Sequence, residues 1–260
     1  MKNSKIVTVQ ILNAFSENGK GGNPAGVVLN ADKLSDKNKL EIAKKVGLSE
    51  TAFVSKSKTE DFKLDFFTPN KQIAHCGHAT VATFSYLKQI GALKNNSSSK
   101  ETIDGKRKIE MIGDRAFMEQ LAPKYVDVSN KESVILKSLG LKKNDLIPNA
   151  PIQLVNTGYY VFSTNTDNTE YDATSRMFGP RYGILEEAGT GMAAGPLGCY
   201  LFETLKINKK SFNIQQGKYM KEPSPSLIIV NLRTEKGEIK DLMAGGIGLL
   251  KKQMEIELNN

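Results

Sequence analysis

Two stretches of this chain are too apolar to lie on a surface, and they share a design. GHATVATFSYL, from Gly77, and GMAAGPLGCYL, from Gly191, superpose at an offset of 114 residues, so that Gly77/Gly191, Ala79/Ala193, Tyr86/Tyr200 and Leu87/Leu201 coincide. A helix that is apolar nearly all round must be enclosed by other structure. Each stretch also follows a strand-like segment ending in Phe-x-Pro, Phe67-Thr68-Pro69 and Phe178-Gly179-Pro180. The pattern predicts two pseudo-repeats, each a sheet wrapped around one buried helix.

The remaining segments fit an α+β chain of two pseudo-symmetric halves, each a mostly antiparallel, barrel-like sheet around a central helix. Phe62, Leu64 and Phe66 alternate with Asp61, Lys63 and Asp65, the period of a half-buried strand. Val7 to Leu12, Gly26 to Leu29, Phe53 to Lys56, Lys106 to Met111 and Ala116 to Leu121 read as further strands. Ser35 should cap a helix that Gly47 stops. In the second half, Ser129 to Leu139 reads as a helix with Ser129 as its cap, and Pro151 to Thr164 as strands broken by Gly158. Asn95 to Lys100 and Asn165 to Thr169 read as polar loops, and the segment up to Phe178 as a short helix or turn. Ser226 to Leu232 and Ile239 to Met243 close the chain as strands. The expected domains are residues 1–121, residues 122–244, and a terminal strand over 245–260 that can return to the first half.

Of the 260 residues, 25% are charged and 39% hydrophobic, ordinary for a globular protein. No apolar run reaches the roughly 18–20 residues of a membrane span. The opening MKNSKIVTVQILNAF lacks the features of a secretory signal and reads as a first strand, so a cytoplasmic location is expected. Cys76 and Cys199 make no disulfide framework, which agrees with a reducing compartment. The net charge of +8 comes mainly from scattered lysines, with no basic helix or aromatic-basic interleaving. Nucleic acid is therefore not an expected partner, whereas small anions are.

Glycine opens both apolar helices. The first turn of a helix carries unpaired N–H donors and a partial positive charge, and glycine lets a ligand come close to them. Two such starts facing one cleft would hold a carboxylate without a metal.

GGNPAGVVL (21–29), GLSETAFV (47–54), FFTPNKQIAHCGHAT (66–80) and EEAGTGMAAGPLGCYL (186–201) occur in that order, followed by QQG (215–217) and Pro223-Ser224. Together they resemble the phenazine biosynthesis PhzF-like family, which shares the two-domain fold of diaminopimelate epimerase. The likeness spans nearly the whole chain. It implies a cofactor-free isomerase and a homodimer, with Glu50 matching the family's catalytic glutamate. Moving a proton between carbon atoms near neutral pH needs a carboxyl raised from about 4.3 by burial, and Glu50 stands between a helix stop and an apolar strand. His78, second in its helix, would be kept neutral by the helix dipole and could relay a proton. The same strings put Asn23, Ser49, Gly77, Thr190, Gly191 and Met192 on the substrate side, and Glu187 as a third, orienting member of the catalytic group.

The chain also departs from the family. Where relatives carry Glu-Asp-Pro-x-Thr-Gly-Ser, it reads Glu186 to Met192, so Glu187 replaces an aspartate and Met192 a hydrogen-bonding serine. Lys221-Glu222-Pro223-Ser224 replaces Gly-Arg-Pro-Ser. Proton transfer survives these changes, but a phenazine-type substrate does not follow. Related epimerases use one thiol at each helix start; here Cys76 precedes Gly77 while Ala188 is taken as its counterpart, and Cys199 lies inside its helix. A two-thiol racemase is excluded on that reading, and Cys76 is expected to be a packing residue.

Two patterns compete. Gly189-Thr190-Gly191-Met192-Ala193-Ala194 fits a dinucleotide fingerprint, but no good buried strand precedes it. His75-Cys76-Gly77-His78 suggests a metal cluster, but the chain has no other histidines and no second Cys/His group. No cofactor and no metal are expected. The expected function is an isomerase that shifts a proton on a small carboxylate through Glu50, in the cleft between the halves. A catalytically silent ligand-binding or interaction protein on the same fold is the alternative.

Overall fold

The computed structural model describes residues 5–125, 129–145, 154–155, 158–166, 168–180 and 184–258. The first elements are β1 (Lys5–Ala14), β2 (Asn23–Val28), α1 (Asp36–Val46), β3 (Thr51–Ser55) and β4 (Phe62–Phe67). There follow β5 (Gln72–Ile73), α2 (Gly77–Gln89), β6 (Ser97–Thr102), β7 (Gly105–Ile112), β8 (Arg115–Gln120) and α3 (Glu132–Leu139). The remainder is β9 (Leu154–Val155), β10 (Gly158–Ser163), β11 (Ala173–Gly179), β12 (Ile184–Glu187), α4 (Gly191–Glu203), β13 (Ser211–Gln216), β14 (Ser226–Glu235) and β15 (Glu238–Leu258).

Strands β1, β2, β3, β4, β6, β7, β8 and β15 hydrogen-bond in that order, and the β1–β15 pairing closes them into a barrel. Most pairs are antiparallel; β2–β3 and β4–β6 are parallel. Inside lies α2, with every residue from Gly77 to Leu87 buried. The second sheet runs β15-β14-β13-β11-β10-β9, and α4 packs on β13, β14 and β15. Among the described residues this sheet stays open where the first one closes.

The repeat is explicit in the pairing. In the first half, β4 takes the short antiparallel partner β5, then α2, then the parallel strand β6. In the second, β11 takes β12, then α4, then the parallel β13. Strand β15 joins the two sheets: its first part pairs with both β14 and β8, and its second part pairs with β1. The alternation of β14 follows: Ile228, Val230 and Leu232 face the core, and Leu227, Ile229 and Asn231 face outward.

Local signals act as expected at α1, where Ser35 and Asn38 form a reciprocal capping box and Gly47 ends the helix at φ 70°. Elsewhere the structure corrects the reading. Residues 97–102 are β6, not a polar loop, because its inward positions are polar residues that find partners, Ser98 in Asp61 at the barrel rim and Lys100 in the buried Thr80. The segment before Phe178 is β11, whose inward set, Ala173, Ser175, Met177 and Gly179, is too small and mixed to show a hydrophobic period. Helix α3 starts only at Glu132 with Lys131 as its N-cap, after a single 3-10 turn over Ser129–Lys131. Residues 151–153 and 156–157 of the expected strands around Gly158, and Asp167 of the expected Asn165 to Thr169 loop, lie outside the described residues.

Candidate active site

The two central helices meet start to start. A Cβ on Gly77 would lie 3.4 Å from Met192 Cγ and 3.7 Å from Met192 N, ordinary contact distances that show how near the two starts lie. On α4 the corresponding position is packed differently, since a Cβ on Gly191 would stand 3.0 Å from the Phe15 ring. Neither N-cap, Cys76 of α2 or Thr190 of α4, makes a capping side-chain hydrogen bond. Both helices therefore present their first turns to the same crevice. The residue at the place of Cys76 is Thr190 and not Ala188, which corrects the sequence alignment and still leaves the start of the second helix without a thiol, since Cys199 lies two turns further in.

His78 sits in this crevice, 4% exposed, with a carboxylate on each side of its ring. Its Nε2 lies 3.3 Å from Glu50 Oε2 and its Nδ1 3.6 Å from Glu187 Oε1. The first contact has ion-pair distance but lacks hydrogen-bond geometry, and both Glu50 Oε2 and His78 Nε2 are buried atoms with no hydrogen-bond partner. Glu50 reaches the crevice from the bend between α1 and β3, its carbonyl accepting from Gly26 N at 3.1 Å. Ser49 is half-buried in the same bend.

Glu187 is held on every side. Asn23 Nδ2 donates to its Oε1 at 3.0 Å and to the Gly189 carbonyl at 2.8 Å, and Thr190 Oγ1 donates to its Oε2 at 2.5 Å. Burial raises the carboxyl above its ordinary value, against the pull of His78 and these donors. Burial, and next the charge of Glu50, push the Cys76 thiol well up, with the nearby Ala79 N–H acting the other way. Its sulfur is 3.5 Å from His78 Nδ1. A thiol held protonated is a poor nucleophile.

Glu50, Cys76 and His78 offer ligand atoms within 4.8 Å of one another, so Glu50 rather than His75 is the third member of any metal-binding set. His75 points away from it, its ring 6.3 Å from that of Phe66, and burial, then the charges of Lys100 and Arg107, lower it to about 3. The dinucleotide pattern has the wrong setting, because the strand before α4 pairs antiparallel with β11.

Two residues of the site escaped the sequence reading. Gln216, fully buried at the end of β13, accepts from Thr190 N at 3.0 Å and donates to the Glu187 carbonyl at 2.7 Å. Gln120, at the end of β8, donates to the Gly191 carbonyl at 2.8 Å. The signal available for Gln216 was its place in the QQG string (215–217), which the sequence reading noted without giving it a role; Gln120 had none. A separate hollow of about 580 Å³ over β14 and β15 is bordered by Glu17, Arg115 and Tyr171 and by none of the acid/base residues.

The chain matches the family profile described as phenazine biosynthesis-like protein over residues 12–161 and 112–248. It is 30% identical to an uncharacterised isomerase of Clostridium acetobutylicum, covering 95% of this chain and 97% of the relative. It is 29% identical to the trans-2,3-dihydro-3-hydroxyanthranilate isomerase of Pseudomonas chlororaphis, covering 82% of this chain and 87% of that one. Among solved structures, the PhzF-family phenazine biosynthesis protein of Bacillus anthracis superposes with a TM-score of 0.85 at 25% identity, over 97% of this chain and 99% of the other.

Proposed function

The chain belongs to the phenazine biosynthesis-like protein family and is an isomerase, and from that premise we propose that Glu50 is its general acid/base, acting on a small carboxylate without a cofactor. The observation that carries this reading is the buried, unpartnered pair Glu50 Oε2 and His78 Nε2, beside two uncapped helix starts. Burying two polar atoms without partners is costly unless a third polar group satisfies them in the working state.

The substrate's carboxylate lies against the first-turn amides of Gly77-His78 and Gly191-Met192, with Asn23, Ser49 and Thr190 around it. Glu50 takes a proton from a carbon conjugated with an electron-withdrawing group. The C–H electron pair enters that conjugated system, and the same carboxyl returns the proton to another carbon, or to the other face of the same one. No oxidant or leaving group is needed, so the product is an isomer. His78 relays between Glu50 and the substrate, and Glu187 orients the ring from its Nδ1 side. Met192 stands where serine would supply a hydroxyl, and its thioether, 49% exposed, favours an apolar portion of the substrate. The ligand of the Pseudomonas relative is therefore expected to turn over poorly.

Deuterium wash-in from D₂O, followed by mass spectrometry on a panel of small unsaturated acids that includes trans-2,3-dihydro-3-hydroxyanthranilate, tests the proposal. Glu50→Gln is expected to lower exchange by roughly a thousandfold, in the range of a lost general acid/base, with the fold intact by circular dichroism. Exchange that persists in Glu50→Gln would refute the role.

A further inference from the structure

Lys100 is an unusual tenant of a barrel interior. It is fully buried, and no carboxylate pairs with it among the described residues. Its Nζ donates to Thr80 Oγ1 at 2.7 Å and lies 5.0 Å from the centre of the Phe66 ring. Thr80 Oγ1 in turn donates to the Cys76 carbonyl at 2.6 Å. A hydroxyl has one proton, and here it goes to Cys76, so the contact with Lys100 uses the hydroxyl's lone pair. The direction of the chain is thereby fixed: Lys100 to Thr80 to Cys76.

That chain ends on the peptide that begins α2. The Cys76 carbonyl and the Gly77 N–H belong to one planar trans unit, so drawing the carbonyl toward the barrel interior aims the Gly77 N–H the other way, at the crevice. We propose that Lys100 is a positioning residue of the acid/base site, fixing the first turn of α2 through Thr80 and placing a positive charge behind the amides that receive the substrate's carboxylate. The carboxylate part rests on the function proposed above; the positioning part does not.

The groups facing Lys100 sharpen the consequence. They are Thr80 and Cys76 from α2, His75 from the preceding loop, Phe66 from β4, Arg107 from β7 and Asp104 from the turn between β6 and β7. His75 is neutral above about 3, and the Cys76 thiol is held protonated. Burial brings Lys100 itself down to about 7. A neutral amine donates a weaker hydrogen bond than an ammonium, so the hold of Lys100 on Thr80 weakens as it loses its proton.

Two measurements on the intact protein test this. Amide exchange by NMR, corrected for intrinsic base catalysis, is compared between wild type and Lys100→Met from pH 6 to 9. Wild-type protection over residues 77–80 should fall about tenfold across the midpoint of the Lys100 side-chain titration, the change expected of a lost charge-assisted bond. Lys100→Met should show the low value throughout, with β14 unchanged. In parallel, 2-aminobenzoate should bind the wild type about tenfold more tightly at pH 6 than at pH 8.5, and Lys100→Met without that slope. Wild-type protection that stays flat across the measured midpoint of the Lys100 side-chain titration overturns the positioning role, and it decides the matter even if Lys100→Met fails to fold. Absence of binding at any pH, with exchange as expected, would instead count against the carboxylate reading alone.

Discussion

His78 has two imidazole nitrogens and two carboxyl neighbours, and the environments of those neighbours differ. Glu187 is fixed by Asn23 and Thr190 and is raised by burial, so the folded state holds its proton more tightly than the unfolded chain. Linkage then gives the sign: the stabilisation present below the ordinary value of 4.5 is lost as pH rises through the folded value. Glu187→Gln should melt like the wild type near pH 4 and gain on it as pH approaches neutrality, which thermal melts across that range would check. His75 behaves in the opposite sense. Its folded value of about 3 lies below the usual 6.5, so stability present above 6.5 falls as acid protonates the unfolded chain first. His75→Phe should flatten the acid side of the stability curve, by about 1 kcal/mol at pH 5 after allowance for partial exposure. Denaturant titrations at pH 5 and pH 7 measure this.

Helix α4 shows how small residues serve packing and chemistry separately. At Gly198 a Cβ would come within 2.5 Å of Val230 Cγ1 and 3.0 Å of its Cβ, so the helix would have to lift from β14. Gly198→Ala should cost about 1–3 kcal/mol, the range of core overpacking. At Gly195 the obstacle is the mobile end of Gln120, whose Oε1 would be 2.0 Å away. That amide can swing aside, but it then releases the Gly191 carbonyl. Gly195→Ala should keep most of its stability and lose activity, roughly ten- to a hundredfold, because the start of α4 is no longer aimed. Melting curves and deuterium wash-in on the two variants would separate the effects. The glycines of this helix were visible in the sequence; which of them faced a strand and which an amide was not.

Across the whole molecule, β15 carries the connection. Its outer part closes the barrel against β1, and Ile256 and Leu258 pack with Val7, Val9 and Ile11 in a second apolar cluster. Removing residues 248–260 would strip β1 of its β15 partner and leave it an open edge, while β8 keeps residues 242–247 of β15, and would open the barrel around α2 to water. The truncated chain is expected to lose its cooperative melt and to bind a hydrophobic dye, as differential scanning calorimetry and dye fluorescence would show; a cooperative transition at the original temperature would refute the seam role. The acid/base residues depend on that closure, because Glu50, His78 and Glu187 come from the barrel, from its central helix and from the other sheet respectively.

The sequence by itself determined the two enclosed helices, the capped α1, and the strings around Glu50, His78 and Glu187, because these are local: an apolar period, a capping residue or a short motif is complete within a few positions. Only the tertiary structure decided that β6 is a strand, that Gln120 and Gln216 belong to the site, that Thr190 stands opposite Cys76, and that Lys100 is buried. Each of those facts depends on a partner distant in the chain. A polar residue reads as surface until the fold supplies the hydrogen bond that makes its burial tolerable.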